Sequence, residues 1–154
     1  MQSYKVIENV LTLYGYGCIV YIDSKTNEKK RVKMRFKEIQ CFEPLNEVDE
    51  NKVNEIAESI KANGFIGCPI LIIGDDLLTG SHRLTALRKL AEDENIDIDI
   101  ENMFVAEDVT EIVGEALRKF EEENGYAREI DLNNIGWLFE GTWVEEYKDE
   151  IEEW

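Results

Sequence analysis

The stretch from Pro69 to Leu90, P-I-L-I-I-G-D-D-L-L-T-G-S-H-R-L-T-A-L-R-K-L, constrains this chain more than any other. Ile70, Ile72 and Ile73 make a short β-branched run, Gly74-Asp75-Asp76 supplies a turn, and Leu77-Leu78 follows, which predicts a hairpin of buried strands. Leu84, Leu87, Leu90 and Ala91 then recur at helical spacing. The polar pentapeptide Thr79-Gly80-Ser81-His82-Arg83 therefore sits where a strand ends and a helix begins. The first turn of a helix has backbone N–H groups without intrahelical partners, and the peptide dipoles add partial positive charge, so such a junction can hold a phosphate or carboxylate. Gly80 allows close backbone approach, and Arg83 offers a fork of donors matched to two oxygens. The same residues also read as plain structure, with Ser81 an N-cap, Thr79 and Gly80 turn residues and Arg83 a solvated surface group. His82 is the only histidine, and without Cys or His partners nearby it argues against zinc.

Composition narrows the partners. With 154 residues the chain is long enough for one complete core, and a single domain over 1–154 is expected. Its 34 acidic and 17 basic residues give a formal net charge of −17. So negative a surface repels a phosphate backbone and argues against nucleic acid as a partner. Cys18, Cys41 and Cys68 are widely spaced and odd in number, which suggests neither a disulfide framework nor a zinc knuckle. No apolar run reaches membrane-spanning length and the start lacks a secretory h-region, so a cytoplasmic protein with no membrane partner is expected.

Before the central stretch, Val10–Tyr14, Cys18–Ile22 and Arg31–Lys37 read as strands, with Val32, Met34 and Phe36 inward in the last. Lys25, Lys29, Lys30, Arg31, Lys33, Arg35 and Lys37 place seven of the 17 basic residues on this hairpin. That pattern fits an edge strand protected by lysines, or a small anion- or partner-binding patch. Asp49 is a candidate N-cap for a helix whose Val53, Ile56, Ala57 and Ile60 form one stripe, with Asn63-Gly64 as its stop.

The order of these pieces resembles the ParB/sulfiredoxin-like superfamily. The residues that carry it are P-L-N-E-V-D-E-N-K-V-N-E-I-A-E-S-I-K-A-N-G, then P-I-L-I-I, a hairpin, and L-T-G-S-H-R-L-T-A-L, together covering about Phe36 to Ala91. The superfamily includes partition proteins that bind CTP, sulfiredoxins that use ATP, and small kinases acting on free amino acids. The resemblance implies an α/β fold with a small mixed β-sheet and packed helices over 36–106; outside it, the residues themselves read as an N-terminal β-hairpin and an acidic helical extension over 107–154. It implies a nucleotide- or phosphate-binding protein, of which an ATP-using hydrolase or kinase is one form, with ATP or another nucleotide and Mg2+ as cofactors. Its phosphate loop falls on Thr79, Gly80, Ser81, His82 and Arg83, with Lys52 and the Ser59 hydroxyl on the preceding helix assisting. Lys52 stands in the first turn of its helix, where the dipole disfavours a cation, and a bound anion would resolve that mismatch.

Departures from the pattern restrict the branch. Ser81 stands where sulfiredoxin carries its nucleophilic cysteine, which excludes sulfinic acid reduction through a thiolate at that position. Leu45 stands where partition proteins carry a basic residue. Asn46 stands where the kinases carry an acid; Glu47 and Asp49 lie close by, with Glu43 just before the proline, and such an acid could act as a base or hold magnesium, so that Glu47 and Asp49, with His82 of the phosphate loop, are the candidate catalytic residues.

After Glu92, the alternation Ile96-Asp97-Ile98-Asp99-Ile100 reads as an edge strand. Glu111–Glu123 reads as a helix with Ile112, Val113, Ala116, Leu117 and Phe120 on one face. Two further helices are expected over Asp131–Trp154, broken near Gly141-Thr142. From Glu121 to Trp154 there are twelve acidic and two basic residues, interleaved with Trp137, Trp143 and Trp154. This reads as a solvated face covering the sheet, as a docking surface through which acidic helices meet a basic protein partner, or as a mimic of nucleic acid.

Overall fold

A computed structural model describes residues 31–151 in full, with the backbone of 3–7, 10–15, 18–23 and 152. The basic positions 25, 29 and 30 of the hairpin, and Trp154, lie outside the described residues. Near the start, β1 (Ser3–Ile7), β2 (Val10–Gly15) and β3 (Cys18–Asp23) form an antiparallel sheet in that order. Two of these strands match the sequence expectation and β1 is additional.

The main sheet has four strands, in the order β4 (Val32–Arg35), β7 (Phe104–Asp108), β5 (Ile70–Ile73), β6 (Asp76–Thr79). It is mixed: β4 runs antiparallel to β7, β7 parallel to β5, and β5 antiparallel to β6. The run Ile70-Leu71-Ile72 is buried because β5 is an inner strand covered on both faces. Ile70 and Ile72 point into one core with Leu77, while Leu71 joins Leu78 in the other. The first core lies under α1 (Phe36–Ile39), α2 (Glu50–Asn63) and α3 (Ser81–Glu92). The second lies under α4 (Thr110–Asn124) and the C-terminal segment, giving three layers.

Local chemistry explains the helices. Asp49 Oδ1 accepts from Asn51 N at 2.8 Å and Lys52 N at 3.2 Å, capping α2, which closes where Gly64 turns left-handed and its N–H donates to Ile60 O. Val53, Ala57 and Ile60 face the first core. In α4, Val113 is buried and Ile112, Ala116 and Leu117 pack against the second core, before Gly125 ends the helix.

Three elements differ from the sequence expectation. The strand expected over Arg31–Lys37 ends at Arg35, because Glu38 accepts from Arg35 N–H and Phe36 and Ile39 bury one face of a single helical turn. Ile96–Ile100 is an irregular segment rather than an edge strand. Ile100 is buried, and Ile96 and Ile98 are partly buried against the first core. The chain beyond it serves α1, whose opening N–H groups on Phe36 and Lys37 donate to the Met103 and Glu101 carbonyls. The strand is instead β7, an inner one. Finally, 131–154 contains no pair of regular helices in its described part. It folds as 3-10 turns over Gly136–Phe139 and Trp143–Tyr147 and a short α5 (Lys148–Glu152). Ile135/Leu138 and Val144/Tyr147 are three apart, a spacing that eclipses in a 3-10 turn, and Gly141 at φ 72° separates the two.

The basic hairpin resolves differently at each side chain described. Arg31 grips buried Glu107 through Nε at 2.6 Å and through Nη2, and its guanidinium lies 3.6 Å over the Trp143 ring. Arg35 lies over Phe104, and Lys37 donates to Asn102. Arg31 therefore ties the edge strand to β7 and to the C-terminal segment.

Candidate functional site

Strand β6 delivers Thr79 to a tight junction. Gly80 has φ 103°, and a Cβ there would stand 2.9 Å from Ile70 Cγ1, so only glycine permits this approach to the sheet. Gly80 is itself the N-cap of α3, its carbonyl accepting from Leu84 N at 2.8 Å. Ser81 is not the cap. It is buried in the first turn, and its Oγ accepts from Leu45 N at 3.0 Å and Asn46 N at 3.4 Å. Thr79 is also buried, with Oγ1 lacking a hydrogen-bond partner.

His82 makes the second link. Its Nε2 accepts from Asp49 N at 3.0 Å, which requires the proton on Nδ1. Burial, and then the positive charge of Lys52, push its pKa below the ordinary 6.5, with Asp49 pulling the other way. The loop before α2 is thus stapled to the first turn of α3 by Ser81 and His82, and the N-termini of α2 and α3 are brought together. Lys52 stands close enough to His82 to bias its protonation. Protonated His82 would set N–H against N–H. The folded chain therefore refuses a proton that the unfolded chain accepts near pH 6.5, so the staple stabilises above that pH and its contribution falls as pH drops through it. The melting midpoint should decline from about pH 8 to about pH 5.5 more steeply for the native chain than for His82→Gln. Identical slopes would remove His82 from the staple.

Arg83 turns elsewhere. Its Nη2 donates to Glu150 Oε2 at 2.7 Å, and the arginine side chain is only 13% exposed. The same Glu150 oxygen accepts from Cys68 N at 2.9 Å. The expected convergence of Arg83 with His82 and Lys52 on one ligand is therefore not what this conformation displays: the first turn of α3 sends His82 toward α2 and Arg83 toward α5. Cys68 lies beside Arg83, where a thiol could replace the cysteine missing at Ser81. It is fully buried, and burial pushes its pKa up to about 11 against the pull of Arg83, so it stays a protonated thiol.

The remaining candidates are more loosely placed. Glu47 and Ser59 are exposed. Asp49 is exposed, with one carboxylate oxygen committed to capping α2. Among the described residues no group of three or more His, Cys, Asp and Glu could hold a metal ion. Lys52, His82 and the first turn of α3 are the groups that would meet a phosphate there, the first turn of α2 being capped by Asp49. Glu150 escapes sequence reasoning because nothing near it points to a residue 67 positions away.

The mixed sheet, the Asp49-capped helix and the glycine-led helix define an α/β domain of the ParB/sulfiredoxin-like type. Residues 22–117 match the family model of the ParB N-terminal domain, and the chain belongs to that family. Comparison with curated proteins and with solved structures gave no match. No described helix is long and apolar enough to cross a membrane.

Proposed function

We propose that this chain is a nucleotide- or phosphate-binding ParB-like protein whose ligand phosphates sit at the paired openings of α2 and α3, with ATP or another nucleotide, accompanied by magnesium, as the ligand. The observation that carries this reading is the staple from His82 Nε2 to Asp49 N, which holds two helix N-termini together beside Lys52. The opening of α3 favours an anion, and Lys52 and His82 stand beside it, while the opening of α2 is capped by Asp49. Thr79, Gly80, Ser81 and His82 line or support the α3 opening, and Arg83 can complete it by leaving Glu150. Hydrolysis or phosphotransfer would call on Glu47 or His82, since Asp49 is engaged as a cap.

The competing picture, a non-catalytic protein that docks a partner on its acidic C-terminal segment, draws less support. Trp143 is spent on Arg31, and Trp137 packs against Phe120 and under Arg128.

A thermal-shift panel of ATP, ADP, CTP, GTP and pyrophosphate with magnesium tests the proposal. A ligand at a hundred times its dissociation constant stabilises by about 2.7 kcal/mol, or roughly 5–10 °C for a chain this size. Lys52→Ala should reduce the shift. A melting temperature unmoved by every ligand, in the native chain and in Glu150→Gln alike, would overturn the reading.

A further inference from the structure

Glu150 occupies a seat that is built like an anion site. Its Oε2 accepts from the Arg83 guanidinium at 2.7 Å and from the Cys68 backbone N–H at 2.9 Å. Gly67, at φ 86°, provides the floor: a Cβ there would stand 2.9 Å from the same oxygen. A guanidinium, a peptide N–H and a glycine that admits close approach together make a donor set suited to any oxyanion, whether carboxylate or phosphate. The occupant comes from the end of the described chain, on a five-residue helix whose Ile151 is buried in the second core. Glu150 itself is 43% exposed, so solvent and solutes reach the seat from its side.

We propose that Glu150 is an internal stand-in for a ligand phosphate: it holds Arg83 in the seat formed by Gly67 and Cys68, and a phosphate-bearing ligand must take Arg83 from it. This rests on the phosphate-binding reading above and adds its regulation. Arg83 belongs to the first turn of α3, so a rotation of its side chain would carry the guanidinium from the carboxylate of α5 to a phosphate at the helix opening. Binding then loosens α5, and any event that lifts α5 frees Arg83 for the ligand. The C-terminal segment acts as a competitive latch on the site.

The test measures ATP and pyrophosphate binding by calorimetry to the native chain, Glu150→Gln and Glu150→Ala. Glu150→Gln keeps the shape of the side chain and an acceptor for Cys68 N–H, so the fold is retained while the charge that holds Arg83 is removed. Losing a charge-assisted hydrogen bond from the competing state should tighten binding by about tenfold. In the unaltered chain, the ligand should also speed amide exchange over 148–152. Native binding with no tightening in either variant, or with slowed exchange in α5, overturns the latch and leaves the phosphate site standing. Absence of binding in all three proteins overturns the site and the latch together.

Discussion

Phe139→Ala should cost about 3–5 kcal/mol of folding free energy, the value for emptying a large aromatic from a close-packed interior. Phe139 is 2% exposed and packs in the second core with Leu71 of β5, Val109, Val113 of α4, Leu138 and Val144. Those neighbours come from the sheet, from α4 and from the C-terminal segment, so the cavity would open where all three meet. For a chain of this size the loss corresponds to a fall in melting temperature of roughly 6–20 °C. Urea unfolding monitored by tryptophan fluorescence reads it directly. A loss below about 1 kcal/mol, the range of surface substitutions, would mean that the acidic segment rides on the domain without contributing to its stability. A large loss makes the segment part of the folding unit, and the acidic side chains then serve mainly to keep its outer face in water.

The second large effect is at Gly80. Alanine there meets two penalties: a left-handed backbone that L-residues adopt at a cost, and a Cβ 2.9 Å from Ile70 Cγ1 in a buried setting. Together these should destabilise by about 2–4 kcal/mol. Gly74 is the internal control, because its φ is 59° and nothing lies within 4 Å of its added Cβ. Gly74→Ala should therefore cost only about 1 kcal/mol. Ile70→Val keeps Cγ1 and will not relieve the clash, whereas Ile70→Ala in the Gly80→Ala background should lose less than the sum of the two single changes. Equal costs at Gly80 and Gly74, or strict additivity with Ile70→Ala, would show that the junction is not sterically closed. Because Gly80 sets where α3 begins, the same substitution should also weaken any ligand held at that opening.

Much of the fold was legible because its signals are local. Asp49 precedes its stripe of Val53, Ala57 and Ile60, and Gly64 follows it, so both ends of α2 were marked by capping chemistry. The hairpin of β5 and β6 was marked by an apolar run on each side of Gly74-Asp75-Asp76. By contrast β7 carries F-V-A-E-D, with only Val105 and Ala106 as buried apolar residues. Its buried Glu107 looks like a surface residue until Arg31, 76 positions earlier, is seen to neutralise it. Ile96–Ile100 failed in the opposite direction. Its alternation is that of a half-buried strand, yet the sheet edge it would need belongs to β4 and β6, and its isoleucines pack sideways on the first core.

The candidate site divides along the same line. The sequence by itself determined that a helix opens behind Gly80 and that Asp49 caps another, because turn and capping preferences act over three or four residues. It also determined that no thiolate stands at Ser81. Only the tertiary structure decided that His82 staples those two openings together, that Ser81 is spent on the Leu45–Asn46 backbone, and that Arg83 rests on Glu150. Such pairings depend on which elements the two cores press against one another, and burial of apolar area carries no record in the local sequence of the partner it brings.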